Sequence, residues 1–322
     1  MTGPAGFGGL IPEVIIGAVE SALGRPFTGL AMPLPSYINR VYELQARDGE
    51  RIIAKFYRPG RWTPDALADE QRFVADCARA EIPVVPPLDL PGRGTLHEAD
   101  GYRFSLFPKR GGRALELNAL SDYLRIGRLL GRLHVVGARD TADHRVVLHP
   151  DHSLADDIDY LIDGEWVDED LEPEFEDIAD ALLDAVAERF DGTEFIRVHG
   201  DCHVGNILDR PGEGLMLIDF DDMAMGPPGQ DLWLLLPDRA SRCPRELEAL
   251  LRGYQEFREF DRSSLRLIEP LRAMRMIYFL AWQARQSDDY RFQTAHPDWG
   301  SRSFWRQEIA DLREQLQVIG EE

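Results

Sequence analysis

The sequence predicts an α+β chain in two lobes: a small β-rich lobe with one inserted helix over residues 1–108, and a larger, mainly helical lobe over residues 109–322. Three observations carry this. Two β-type runs, residues 40–47 and 51–57, flank Asp48-Gly49, a dipeptide that tight hairpin turns favour. Thr63-Pro64-Asp65 then reads as a helix start, with Thr63 as N-cap and Pro64 at the first helical position. Beyond residue 120, apolar residues recur mostly at helical spacing.

Taken in order, Pro12 and Glu13 open a short helix that Gly24 ends. The hairpin follows, then the helix through Glu70 and Cys77, then short strands at residues 84–88 and 102–107. Ser121-Asp122 opens a helix with Tyr123, Ile126, Leu130 and Leu133 on one face. Gly127 and Gly131 lie four apart on a neighbouring face, where a second backbone can approach. Pro173 opens another helix, with Phe175, Ile178, Leu182, Val186 and Phe190 in register. Short β runs return at 195–198 and 215–218, and long helices are expected over 244–257, 269–285 and 304–318. No repeat of fixed period interrupts this plan.

The formal net charge is −21, which argues against a general binder of nucleic acid or of anionic membranes. The charge is uneven: residues 1–155 carry +1, residues 156–194 carry −16 and residues 195–322 carry −6. The acidic segment reads first as a solvated surface and second as a field that attracts a cationic acceptor. Three widely spaced cysteines, Cys77, Cys202 and Cys243, fit neither a disulfide framework nor a zinc site. The first 25 residues lack a secretory pattern, and the most apolar run, residues 276–282, is too short to span a bilayer. A cytoplasmic protein without membrane association is expected.

The chemistry concentrates in His199-Gly200-Asp201-Cys202-His203-Val204-Gly205-Asn206 and in Leu217-Ile218-Asp219-Phe220-Asp221. Transfer of a phosphoryl group needs a carboxylate to orient and deprotonate a hydroxyl, and oxygen ligands for Mg²⁺ on the nucleotide phosphates. Asp201, Asn206 five residues on and Asp219 thirteen further supply that set. A zinc site of His199, Cys202 and His203 is disfavoured by their contiguous spacing. Upstream, Lys55 ends the run Ile52-Ile53-Ala54-Lys55, where kinases place the ammonium that holds the α/β-phosphates. Only two of the 36 basic residues are lysines, Lys55 and Lys109, so a lysine on this strand points to a need for a compact ammonium. Glu70 on the following helix is positioned to pair with it.

Together these residues resemble the bacterial stress response kinase A family of Ser/Thr protein kinases, within the aminoglycoside/choline kinase superfamily. The resemblance rests on Ser36-Tyr37-Ile38-Asn39-Arg40-Val41-Tyr42, Lys55-Phe56-Tyr57-Arg58-Pro59, Gly111-Gly112-Arg113, the His199–Asn206 loop with Ile207-Leu208, Gln230-Asp231-Leu232-Trp233, and Ile268-Glu269-Pro270-Leu271-Arg272-Ala273-Met274-Arg275. It runs from about residue 25 to the last helix. The loop marks the superfamily; the Ser36 and Glu269 stretches narrow it. Three departures stand out: Asp219-Phe220-Asp221 replaces Asp-Phe-Gly, Gly200 replaces the usual Arg, and residues 33–39 contain no glycine.

The resemblance implies a bilobal protein-kinase-like fold, ATP and Mg²⁺ as cofactors, and transfer to Ser/Thr hydroxyls of a protein acceptor that is basic in character. Self-phosphorylation, a part in a stress response and a monomeric state go with it. Asp201 would be the proton acceptor, Asp219 both a catalytic residue and a metal ligand, and Asn206 the second ligand. Ser36 would donate to phosphate from the covering loop, Lys55 and Glu70 would form the ion pair, and residues 104–108, with Phe107, would hold adenine. Asp231 would be a buried support for the loop. Two other readings stay open: a small-molecule kinase of the aminoglycoside, choline or homoserine type, and a nucleotide-binding pseudokinase acting as a binding module. The complete set Lys55, Asp201, Asn206 and Asp219 weighs against the last.

Overall fold

The computed structural model describes residues 6–36 and 38–321. In chain order the elements are α1 (Pro12–Leu23), β1 (Phe27–Leu34), β2 (Arg40–Ala46), β3 (Arg51–Phe56), α2 (Pro64–Arg79), β4 (His97–Ala99), β5 (Tyr102–Pro108), β6 (Arg113–Ala114) and α3 (Leu120–Gly137). Then come α4 (Ala155–Asp163), α5 (Glu172–Ala187), β7 (Ile196–Val198), β8 (Ile207–Arg210), β9 (Gly214–Leu217), β10 (Ala224–Gly226) and α6 (Gln230–Trp233). The chain ends with α7 (Pro244–Tyr254), α8 (Ile268–Ala284), α9 (Tyr290–Ala295) and α10 (Arg302–Glu321). Among the described residues no helix is long and apolar enough to cross a membrane.

Two compact units divide these elements. The first comprises Met1–Asn118, Val135–Arg145 and His203–Asp222. Its antiparallel sheet runs β1-β2-β3-β5-β4. The Asp48-Gly49 turn sets the β2–β3 register, which pairs Lys55 with Val41 on one side and, through β5, with Ser105 on the other. Leu44, Ile52, Ala54, Phe56, Phe104 and Leu106 form a core against Ile15 and Val19 of α1. Phe56 and Phe104 stack at 4.9 Å. Helix α2 begins as the sequence predicts: Thr63 Oγ1 accepts from the Ala66 N–H at 3.1 Å, a cap worth about 1 kcal/mol. β8 and β9 form a hairpin, extended by β6.

One predicted strand does not form. Residues 84–88 hold a single bridge, Val84 to Leu217, with Leu217 N–H bonded to Pro83 O at 2.9 Å. Pro83, Pro86 and Pro87 remove the donors that a ladder needs, so the segment docks by isolated bonds.

The second unit comprises Ala119–His134, Val146–Cys202 and Met223–Glu322. Helices α4, α5, α8 and α10 enclose a core that includes Leu161, Phe175, Leu182, Ile277, Trp305 and Leu312. The apolar face predicted for α5 is the buried one. β7 pairs with β10 in a two-stranded sheet.

The glycines predicted to admit a second backbone do so. A Cβ at Gly127 would stand 2.0 Å from Leu250 O, and one at Gly131 2.5 Å from Tyr254 O. From the other side, a Cβ at Gly253 of α7 would stand 2.1 Å from Leu124 O. Backbone atoms cannot rotate aside, so α3 and α7 would have to separate. Gly127→Ala is expected to lower stability by about 2 kcal/mol or more, read as a reduced urea midpoint at unchanged slope. An unmoved midpoint would rule out this helix contact.

Candidate active site

In the first unit, Lys55 gathers three carboxylates. Its Nζ donates to Asp219 Oδ1 at 2.9 Å and lies 3.2 Å from Asp221 Oδ1 and 3.7 Å from Glu70 Oε1. The Lys55–Glu70 pair expected from the sequence is therefore present, with two aspartates added. Two guanidinium groups complete the cluster. Arg61 bonds Asp221 Oδ2 at 2.7 Å and Asp222 Oδ1 at 2.5 Å. Arg145 donates to the Asp221 carbonyl and stacks over the Trp62 ring at 3.8 Å.

Burial and charge compete at each of these groups. Burial pulls the Lys55 ammonium down, but Asp219, Asp221 and Glu70 outweigh it and hold the group well above the ordinary lysine range. Burial pushes Asp221 up, and Lys55, Arg61 and Arg145 reverse that and hold it well below the usual carboxylate range. Glu70 is the opposite case: burial dominates, Lys55 only partly offsets it, and the carboxyl is pushed up to about 7.

Asp219 differs from its neighbours. Half of its side chain is exposed, and its φ is +59°, a left-handed conformation that L-residues seldom adopt. The β8–β9 hairpin ties it to Asn206, because Ile218 N–H donates to Asn206 O at 3.0 Å. Asn206 ends the single 3₁₀ turn Val204–Asn206, capped by His203, whose Nδ1 accepts from Gly205 N–H at 3.0 Å. This joins the backbones of Asn206 and of the residue before Asp219, at positions whose side chains carry an amide oxygen and a carboxylate. Both are hard oxygen donors, which suits Mg²⁺ retaining its waters and phosphate ligands and does not suit zinc.

In the second unit, β7 leads into His199-Gly200-Asp201. Gly200 has φ +84°, so its lack of a Cβ is required there. Asp231, fully buried, accepts from His199 N–H at 2.7 Å and from Gly200 N–H at 2.9 Å. His134 Nε2 lies 3.0 Å from the same carboxylate, and His134 Nδ1 lies 3.0 Å from the Tyr254 hydroxyl. Gln230 Nε2 donates to Gly200 O at 2.8 Å, and Trp233 Nε1 donates to Gln230 Oε1 at 3.2 Å. The Asp201 side chain is one-fifth exposed, and Arg275 Nη2 donates to its Oδ1 at 2.6 Å. Cys202 is buried, and burial, with Asp231 and Asp201 adding to it, raises its thiol well above the normal range. It is a poor nucleophile.

The remaining sequence-predicted residues lie apart from these clusters. Ser36 follows β1, partly exposed, and its neighbour Tyr37 is outside the described residues. Phe107 is half-buried on β5 opposite Ile53. No hydrogen bond or ion pair joins Ser36 or Phe107 to the Lys55 cluster among the described residues. Residues 156–194 leave most of their acidic side chains exposed, on α4, on α5 and on the segments around them, while Asp157, Asp170 and Glu174 pair with Arg285, Arg302 and Arg313. Sequence reasoning missed the roles of Asp221, Arg61, Arg145 and Arg275. Asp221 stood within the motif, two residues beyond Asp219, and that spacing was its only signal.

Comparison with known proteins gives the family and the fold. A family model described as APH, phosphotransferase enzyme family, matches residues 31–268. Stress response kinase A of Escherichia coli (strain K12) is 37% identical over 313 residues, covering 97% of this chain and 94% of that protein. Serine/threonine protein kinase RdoA of Salmonella typhimurium is 38% identical over 321 residues, with coverage of 97% and 94%. The solved structure of amicoumacin kinase hAmiN, in complex with AMP-PNP, Ca²⁺ and Ami, has a TM-score of 0.70 at 19% identity and covers 94% of this chain and 91% of its own. That likeness shows the fold: the two-lobe, protein-kinase-like α+β architecture expected from the sequence is the one found.

Glu70 provides a pH test. Its carboxyl titrates near 4.5 in an unfolded chain and about 7 here, so between those values the folded state binds more protons. This group therefore makes stability fall as pH rises through that window. Glu70→Gln removes the titration, so the stability of the variant relative to the parent should rise from pH 5 to pH 7 and level off above. Denaturant midpoints across that range measure it; a flat difference would show that Glu70 stays ionised.

Proposed function

The chain belongs to the phosphotransferase enzyme (APH) family, and from that premise we propose that it uses Mg·ATP to phosphorylate Ser/Thr hydroxyls of proteins. The observation that carries the nucleotide part is the Lys55 cluster, with Asp219 half exposed beside Asn206. Three carboxylates around Lys55 would repel free polyphosphate, so the nucleotide is expected to bind as its metal complex, with Asn206 and Asp219 as the protein ligands. When bound, Mg²⁺ neutralises phosphate charge and orients the transferred group. Lys55 is then the ammonium that holds the α/β-phosphates, and Glu70 keeps it in place. Ser36 donates to phosphate where a Gly-rich loop would use backbone amides, and the segment around Phe107 receives adenine.

On the acceptor side Asp201 takes the hydroxyl proton. Its backbone is held by the bonds of Asp231 and Gln230 to His199 and Gly200, so the carboxylate is preorganised. The protein acceptor is supported by the names of the relatives at 37% and 38% identity, which are a stress response kinase and a Ser/Thr protein kinase. Self-phosphorylation, service in a stress response, a monomeric and cytoplasmic state, and a lobe boundary at residues 108/109 belong to the same proposal. The likeness to amicoumacin kinase favours a second reading, transfer to a small-molecule hydroxyl.

Incubation with labelled ATP and Mg²⁺ separates the two. Self-labelling and labelling of a generic basic protein support the first; label only in a panel of small alcohols would sink it. Asp201→Asn should reduce the rate roughly 10²–10⁴-fold, and an unaffected rate would refute the assigned base. Ser36→Ala should weaken ATP binding; unchanged affinity would remove Ser36 from the phosphate site.

A further inference from the structure

We propose that Arg275 is a specificity-determining residue of the acceptor side, selecting a hydroxyl in neutral, carbonyl-rich surroundings and rejecting an amino alcohol whose ammonium sits two or three carbons from its hydroxyl. The inference rests on the reading of Asp201 as the base. Arg275 donates to Asp201 Oδ1 at 2.6 Å, both side chains are partly exposed, and among the described residues Asp201 is the only partner found for this guanidinium. A guanidinium has five N–H donors, so the bond to Asp201 leaves donors of the partly exposed Arg275 for a group that approaches Asp201.

The arginine is held in place by its helix. α8 buries Glu269, Leu271, Met274 and Ile277. Glu269 is clamped by Arg239 at 2.5 Å and by Gln315 at 2.9 Å. Arg272, one turn before Arg275, turns to Glu269 and to the Trp233 ring. The two arginines therefore do different work: Arg272 supports the helix, and Arg275 reaches Asp201.

A hydroxyl bonded to Asp201 comes within a few ångströms of the Arg275 charge. In an amino alcohol the ammonium follows the hydroxyl into that zone and meets a like charge. In a peptide the groups nearest a Ser or Thr hydroxyl are backbone carbonyls and amides, and the carbonyls accept from a guanidinium. Basic residues elsewhere in a protein acceptor sit farther out. One and two turns along the same face, the half-exposed Phe279 stacks on Trp282 at 5.2 Å, an uncharged surface for neighbouring side chains.

The test measures kcat/KM of the full-length protein with labelled ATP for two probes, myelin basic protein and choline, in the parent, Arg275→Gln and Arg275→Lys. Arg275→Gln keeps a donor toward Asp201 and removes the charge. The ratio of choline to protein phosphorylation should rise about tenfold in Arg275→Gln and stay at the parent value in Arg275→Lys. A merely structural role would lower both substrates together and leave the ratio unmoved, and that result overturns the proposal, as does choline turnover that stays at background in Arg275→Gln. Failure of the underlying reading is distinct: full activity of Asp201→Asn.

Discussion

The Asp231 carboxylate is the contact on which the His199-Gly200-Asp201 loop depends. A fully buried carboxylate is destabilising by several kcal/mol unless its oxygens are satisfied. Here the partners are two consecutive backbone amides, His199 and Gly200, and an imidazole, His134. These bonds fix a loop whose middle residue has a positive φ and would otherwise have many conformations. Through Asp231, α6 and α3 are joined to the end of β7. Gln230 adds a bond to Gly200 O from the adjacent position, so the loop is held by both a carboxylate and an amide of one short helix.

The Lys55 cluster follows a different rule. Asp231 is satisfied within the fold; the charges around Lys55 are only partly so. Lys55, Arg61 and Arg145 face Glu70, Asp219, Asp221 and Asp222. Protein cations take up Asp221, which is buried, whereas Asp219 is half exposed in a left-handed backbone conformation. The strain and the exposure coincide on the residue proposed as a metal ligand, and functional sites are where strain is expected to persist. Glu70 near neutrality is the third consequence: burial disfavours its ionised form, and Lys55, shared with Asp219 and Asp221, only partly offsets that.

The fold was legible where a local rule decided it. Asp48-Gly49 fixed one hairpin, Thr63-Pro64 one helix start, and the spacing of Gly127 and Gly131 announced a close helix contact. Residues 84–88 misled because β-type apolar side chains outnumber the prolines, although the prolines decide the hydrogen bonding. β1 went unread because its exposed residues do not alternate, and its pairing with β2 holds it in place. At the proposed site, the scarcity of lysine singled out Lys55, and spacing singled out Asp201, Asn206 and Asp219. Arg275 was not: its partner lies 74 residues away, and no period connects them. Arg61 and Asp221 are 160 residues apart, which only the folded chain brings to 2.7 Å.

The acidity of residues 156–194 takes on a narrower meaning in the folded chain. Most of those side chains are exposed, on α4, on α5 and on the segments around them, and surface arginines pair with Asp170 and Glu174. Exposed charges of this kind are screened beyond about 8 Å at physiological ionic strength. On the proposed function they would attract a basic protein at encounter and contribute little to the position of a hydroxyl at Asp201. Asp157 is the exception, buried and bonded to Arg285 at 2.7 Å, its carboxyl pushed up to about 6 by burial against that pairing. Helix α8 thus carries Arg275 on Asp201 along its length, and Arg285, just past its C-terminal end, holds Asp157. Selection by charge close to the acceptor hydroxyl therefore falls to Arg275, a cation, in a chain whose net charge is strongly negative. A screened acidic surface that collects basic partners and a local cation that excludes small ammonium groups are compatible, because they act at different distances.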